Sequence, residues 1–248
     1  MGEVMTEQFM VRQATAMKEG AGVDVKRLMP VMGFMNYDPF VLWDDFTISP
    51  GHGFPTHSHR GFEAITYMFE GAMRHEDNLS NRSTVEAGGA QRFTAGQGIA
   101  HSEMPSESGQ TRGIQLWINL PRQLKSTAPG YQQVNAHQFP ERSIDKGKVR
   151  ILVGEESPLK LLTPVHYLEV FLEPDGHFQD TLPVDYRGFI YAVEGRVKIG
   201  DSTLTSSEAR FMEGIKQLTV SSTQASRFMV CFGKPHREPI RQHGPFVD

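Results

Sequence analysis

Apolar and polar residues along this chain alternate with a period of two over short stretches. In residues 64–69, Ile65, Tyr67 and Phe69 fall on one face of an extended segment and Ala64, Thr66 and Met68 on the other. Comparable runs occupy 40–46, 114–119, 149–153, 166–172, 188–193, 196–199 and 227–232, each bounded by turn-forming residues such as Gly, Pro, Asn or Asp. No helical periodicity is sustained. Short strands punctuated this way predict an all-β sandwich or barrel. The stretch Leu120-Pro-Arg-Gln-Leu-Lys-Ser-Thr-Ala-Pro-Gly130 breaks the pattern and reads as a linker with one helical turn after Pro121. Residues 233–248 hold Pro235, Pro239 and Pro245, which predicts an extended tail rather than a central strand.

A weak internal repeat supports two copies of one β fold. Laying Glu70-Gly71 on Glu194-Gly195 sets the strand before each turn against its counterpart, with a second strand following. An offset of about half the chain is far longer than the ~20–50 residues of a solenoid period. The expected domains are 1–132 and 133–248.

Composition narrows the function. The 24 glycines and 15 prolines exceed the roughly 12% background share and suit a turn-rich β protein. The 25 Lys and Arg against 29 Asp and Glu give a net charge of −4, which carries no nucleic-acid footprint. The single cysteine, Cys231, excludes an intrachain disulfide and any multi-cysteine metal site, and its apolar setting predicts a buried, inert thiol. No stretch is apolar enough to span a membrane, and no secretory signal opens the sequence, so a cytoplasmic location is expected. Neither a Gly-X-Ser-X-Gly elbow nor a Walker loop is present.

Chemistry concentrates in Gly51-His-Gly-Phe-Pro-Thr-His-Ser-His-Arg-Gly-Phe-Glu63 and Gly96-Gln-Gly-Ile-Ala-His-Ser-Glu103. One residue separates His57 from His59, so on a strand both imidazoles face the same way; His101 and Glu103 repeat the device. If the two segments lie side by side, three imidazoles and a carboxylate converge. That donor set suits Fe(II), Zn, Mn, Ni or Cu(II), and the lack of thiolate argues against Cu(I). An isolated His-X-His is weak evidence by itself; the second pair and the flanking Gly96 and Gly98, which permit tight turns, strengthen it. His75 follows the Glu70-Gly71 turn, where a surface hairpin residue is expected over one facing the cavity. His52 reads as a loop residue. Asp44 and Asp45 are adjacent, so on a strand they point to opposite faces and form no shared acid–base pair.

Gly51-X5-His57-X-His59-X3-Glu63-X7-Gly71 resembles the first cupin motif, with one extra residue before its last glycine, and Gly98-X2-His101 resembles the core of the second. More narrowly, His-X-His-Arg-Gly-Phe-Glu63, Thr94-Ala-Gly-Gln-Gly-Ile-Ala-His-Ser-Glu-Met-Pro105, Gly113-Ile-Gln-Leu-Trp-Ile-Asn-Leu-Pro121, Asn36-Tyr-Asp-Pro-Phe-Val-Leu-Trp-Asp-Asp-Phe46 and Gly244-Pro-Phe-Val247 resemble the pirin family. The likeness is specific over residues 20–121 and thinner after 130, and Ser58 stands where pirins usually carry proline. It implies a bicupin with two tandem double-stranded β-helix (jelly-roll) barrels and one metal in the N-terminal barrel. The implied ligands are His57, His59, His101 and Glu103, around Fe(II) first, with Zn, Mn, Ni, Co or Cu as alternatives. Glu63, a ligand in some other cupins, is implied to be structural or to support the ligands. The C-terminal copy sets Thr181, Pro183 and Ala225, or Thr219 in a second alignment, against the histidines, so it is expected to be metal-free.

The activity implied is a pirin-like quercetin 2,3-dioxygenase with a flavonol-like substrate, O₂ and Glu103 as general base. The alternative is a non-catalytic iron-binding regulator acting through a protein partner, without direct nucleic-acid or membrane contact.

Overall fold

The computed structural model describes residues 10–106 and 109–248. From residue 10 the chain forms β1 (Met10–Gln13), β2 (Thr15–Glu19), β3 (Val23–Met29), β4 (Phe40–Ile48), β5 (Phe54–His59) and β6 (Phe62–Glu70). It continues through β7 (Ala72–Asp77), β8 (Arg82–Glu86), β9 (Ala90–Thr94), β10 (Ile99–Pro105), β11 (Thr111–Asn119) and β12 (Gly130–Val134). Each of the eight expected strands lies within an observed one, and a 3-10 turn at Arg122–Leu124 follows Pro121. Among the described residues no helix is long and apolar enough to cross a membrane.

Two barrels result, each made of a seven-stranded and a four-stranded sheet. In the first, the large sheet runs β12-β9-β6-β11-β4-β3-β2 and the small one β5-β10-β7-β8. The second repeats this plan. Its small sheet orders Gly176–Thr181, Gln217–Ser222, Arg196–Ile199 and Ser202–Thr205, strand for strand as β5, β10, β7 and β8 are ordered.

The compact units are discontinuous in sequence, unlike the expected single division after residue 132. One contains residues 15–140, 153–164 and 236–248; the other contains 10–14, 141–152 and 165–235. Strand β1 pairs antiparallel with Glu208–Glu213 and covers a sheet edge whose backbone groups would otherwise lack partners. Which edge a segment will cover is a long-range choice that local alternation does not encode.

Alternation explains the cores. In the first barrel Val23, Val25, Phe46, Ile48, Met68, Met73 and Val85 form one apolar cluster; Val41, Leu42, Phe62, Phe93, Trp117 and Val247 belong to another, nearer the histidines. The second barrel closes around Leu168, Val170, Phe178, Ile190, Phe228 and Val230. Phe178 is fully buried there and meets Phe228 edge-on at 5.8 Å between ring centroids. Phe178→Ala is expected to cost about 3–5 kcal/mol, measurable by urea unfolding, because the core cannot fully collapse onto the void. Cys231 is buried and its thiol is pushed well up by desolvation, as its apolar setting predicts. Asp44 and Asp45 do face opposite ways: Asp44 holds Arg27 at 2.6 Å and Asp45 lies 3.6 Å from Arg112.

Candidate metal centre

Strands β5, β10 and β7 lie side by side, so three alternating rows of side chains meet on the inner face of the small sheet. His101 sits opposite His57 on one side and Asp77 on the other, while Glu103 sits opposite His75. Between His101 and Glu103 the pairing shifts, so that Glu103 faces Phe54 and β5 carries one extra residue. The bulge falls at Pro55, which has no N–H to give the ladder. There the Pro55 carbonyl accepts a hydrogen bond from His57 Nδ1 at 2.7 Å.

The rings of His57, His59 and His101 converge, with centroids 4.5, 4.7 and 5.0 Å apart. Their donor nitrogens can all lie within 4.8 Å of one another. Each ring is oriented through its other nitrogen. His59 Nδ1 donates to the carbonyl of Pro245 at 3.2 Å, and its ring stacks on Phe93 with Trp117 edge-on. His101 Nδ1 lies 3.5 Å from His75 Nδ1, and His75 Nε2 lies 3.0 Å from Asp77 Oδ2. The carboxylate must accept, so His75 carries its proton on Nε2 and His101 carries its proton on Nδ1. That leaves His101 Nε2 as a bare lone pair, buried and without a hydrogen-bond partner. A buried unpaired nitrogen beside two other imidazoles is what a cation would satisfy, so the residues present fit a metal.

Glu103 is 1% exposed and strongly held. Its Oε1 accepts from Thr66 Oγ1 at 2.8 Å and from Gln91 Nε2, and its Oε2 accepts from Gln115 Nε2 at 2.8 Å. Gln91 and Gln115 are themselves fixed, by the hydroxyl of Tyr131 and the indole N–H of Trp117. Two donors fill the lone pairs of Oε1, whereas Oε2 keeps one free. Glu103 groups within ligand distance with His101 and His75, and His101 is shared with the three-histidine group.

One feature differs from the sequence reading. His75 is fully buried and stacks on Tyr131 at 4.3 Å, where a surface hairpin residue was expected. Strand β7 is an inner strand of the small sheet, so its alternate residues point inward; Met73, two positions earlier, already marked that face. Glu63 points away from the histidines and accepts from Thr94 Oγ1 and from the backbone N–H groups of Leu162 and Thr163, a structural role.

Burial pushes the His59 pKa down to about 3 and that of His101 down to about 2, with neighbouring imidazoles adding to the shift. Both rings are therefore neutral and available as ligands at pH 7. The same shifts predict acid sensitivity of the metal-free protein. The unfolded chain takes up these protons near pH 6.5 while the folded one does not. Stability is thus fully present above pH 6.5 and falls as pH drops towards 3, by up to about 1.4 kcal/mol per pH unit for each ring. Urea midpoints measured from pH 7 to pH 4 are expected to fall steeply without metal and no less steeply with saturating metal, which raises the whole curve while keeping the native imidazoles unprotonated.

His57 and His59 open onto a cavity of about 490 Å³, a size suited to a small organic ligand. Leu42, Phe54 and Trp117 contribute apolar lining to it, and Arg27, held by Asp44 and Glu19, contributes a charged group. In the second barrel, on the small-sheet strands that match β5 and β10 in order, Gln179 stands opposite Thr219 and no histidine pair faces across them.

Two jelly-roll barrels, one with a three-histidine cluster on its small sheet, define a bicupin. Family models agree: Pirin matches residues 22–118, and Pirin C-terminal cupin domain matches residues 167–248. The chain belongs to the pirin family. A pirin-like protein of Solanum lycopersicum is 38% identical over 244 residues, covering 94% of this chain and 84% of its own. A crystal structure of quercetin 2,3-dioxygenase from Acinetobacter baumannii matches with a TM-score of 0.89 at 26% identity, covering 97% of this chain and 91% of that one. A bacterial pirin from Escherichia coli, solved in complex with nickel(II), has the same fold at 24% identity, with a TM-score of 0.76 and coverage of 92% and 99%.

Proposed function

We propose that this protein is a metal-dependent dioxygenase of the quercetin 2,3-dioxygenase type, with His57, His59, His101 and Glu103 holding one divalent cation. The metal site lies in the unit made of residues 15–140, 153–164 and 236–248, and the other unit is metal-free. The observation that carries this reading is the buried, unpartnered Nε2 of His101 beside two more imidazoles, His57 and His59, which line a cavity of ligand size. Fe(II) is the first choice of cation; the nickel in the related Escherichia coli structure supports a site that accepts other first-row ions too. When bound, the cation supplies Lewis acidity that lowers the pKa of an enolic hydroxyl.

The chain's own residues do the rest. Leu42, Phe54 and Trp117 offer apolar contact to a polyphenol in the cavity. Glu103 has one free lone pair, on Oε2, which would serve as a ligand while substrate is absent and take the 3-hydroxyl proton once substrate is in place, with Thr66, Gln91 and Gln115 holding the group. The resulting electron-rich enolate is the form that O₂ attacks, and ring opening releases CO. The relative named quercetin 2,3-dioxygenase supports this choice of substrate class.

The test is protein reconstituted anaerobically with Fe(II), then mixed with quercetin and O₂. Stoichiometric CO release is expected. Full metal occupancy without turnover would overturn the catalytic reading in favour of an iron-binding regulator.

A further inference from the structure

The C-terminal segment reaches the metal centre from nearly two hundred residues away in sequence. Residues 241–248 form a small hairpin, Gln242–His243 against Phe246–Val247, closed at Arg241 and Asp248 by backbone hydrogen bonds of 3.0 and 2.8 Å. Its turn, Gly244-Pro245, presents the Pro245 carbonyl to His59 Nδ1. Gln242, Gly244 and Pro245 line the same cavity as His57 and His59.

The hairpin is anchored beside that point. Val247 is fully buried in the cluster with Phe62, Phe93 and Trp117. Its N–H donates to the Arg60 carbonyl at 3.0 Å, and its own carbonyl accepts from Lys125 Nζ at 2.8 Å. Lys125 spends its other two protons on Gly61 O and Asn119 Oδ1, at 3.0 and 2.7 Å. Arg60 grips the Asp248 carboxylate at 2.9 and 3.1 Å and covers the Phe246 ring at 5.2 Å. Gly61 makes the approach possible, since a Cβ there would sit 1.8 Å from the Val247 carbonyl oxygen.

We propose that this C-terminal strap is a positioning element of the metal centre: through Pro245 it fixes the ring and tautomer of His59, and through its turn it forms one wall of the substrate cavity. A proton held on Nδ1 by a carbonyl leaves Nε2 as the donor atom, and loss of such a partner typically weakens metal binding about 10–100-fold. The strap thus sets affinity without supplying a ligand. This inference rests on the metal-site reading above.

The experiment is Ni(II) binding, measured by chelator competition, on the full chain, on a variant lacking residues 244–248, and on Arg60→Ala and Arg60→Lys. Circular dichroism monitors folding, and the ¹H–¹⁵N spectrum of the metal-free protein reports the protected Nδ1–H of His59. The truncated chain is expected to keep its β spectrum, lose that protected proton and bind Ni(II) about 10–100-fold more weakly. Arg60→Ala is expected to weaken binding by a smaller factor, and Arg60→Lys to restore most of it. A folded truncation with the parent's affinity would overturn the proposal. If the truncation does not fold, Arg60→Ala with parental affinity and an intact His59 signal overturns it equally. A parent that binds no Ni(II) removes the metal-site reading as well, whereas a binding parent matched by every variant removes the strap alone.

Discussion

Alanine at both His57 and His101 yields a folded protein that binds no divalent transition metal. The two residues face each other across β5 and β10, so the double change removes two of three converging imidazoles and leaves His59 without a second nitrogen to share a cation. Folding survives because the barrel is closed by apolar clusters and by strand pairing rather than by a metal staple, and a chain of this length buries enough surface to be stable. Loss of His101 also removes a buried nitrogen that has no partner in the metal-free state, which offsets part of the cavity cost. Isothermal titration with Ni(II) should read one site per chain in the parent and none in the variant, with similar circular dichroism. A thermal unfolding point lower by tens of degrees would contradict the structural half of this expectation, and retained binding the chemical half.

Glu103→Gln lowers turnover about 10²–10⁴-fold while the metal stays bound, since a carboxamide has no basic oxygen to take the substrate proton. The surroundings sharpen the effect. The carboxylate accepts from Thr66, Gln91 and Gln115, whereas a carboxamide offers one accepting oxygen and must turn its NH₂ towards another donor. The fall should appear in kcat with metal content near that of the parent, because three imidazoles remain. CO release at the parental rate from Glu103→Gln would remove the residue from the proton transfer.

The local half of this picture was legible in the sequence. Period-two runs located the strands, and His57-X-His59 with His101-X-Glu103 pointed four side chains to common faces because strand geometry leaves little choice. The supporting half was not. Thr66, Gln91 and Gln115 look like ordinary polar residues on half-buried strands, and only the pairing of β6 with β9 and β11 brings them beneath one carboxylate. His75 was legible in principle, since Met73-Arg74-His75-Glu76-Asp77 alternates with an apolar residue in phase, but its position after a tight turn suggested the surface. Pro245 beside His59 and the exchange of terminal segments between the units depend on contacts across 186 residues or more, for which no local signal exists.

X-ray absorption on the metal-loaded, untagged protein tests the central claim most directly. Convergence of His57, His59, His101 and Glu103 on one cation predicts a first shell of nitrogen and oxygen with the multiple scattering of three imidazoles, reduced to two in His101→Ala. A first shell with no more than one imidazole, or a spectrum unchanged in His101→Ala, would contradict it.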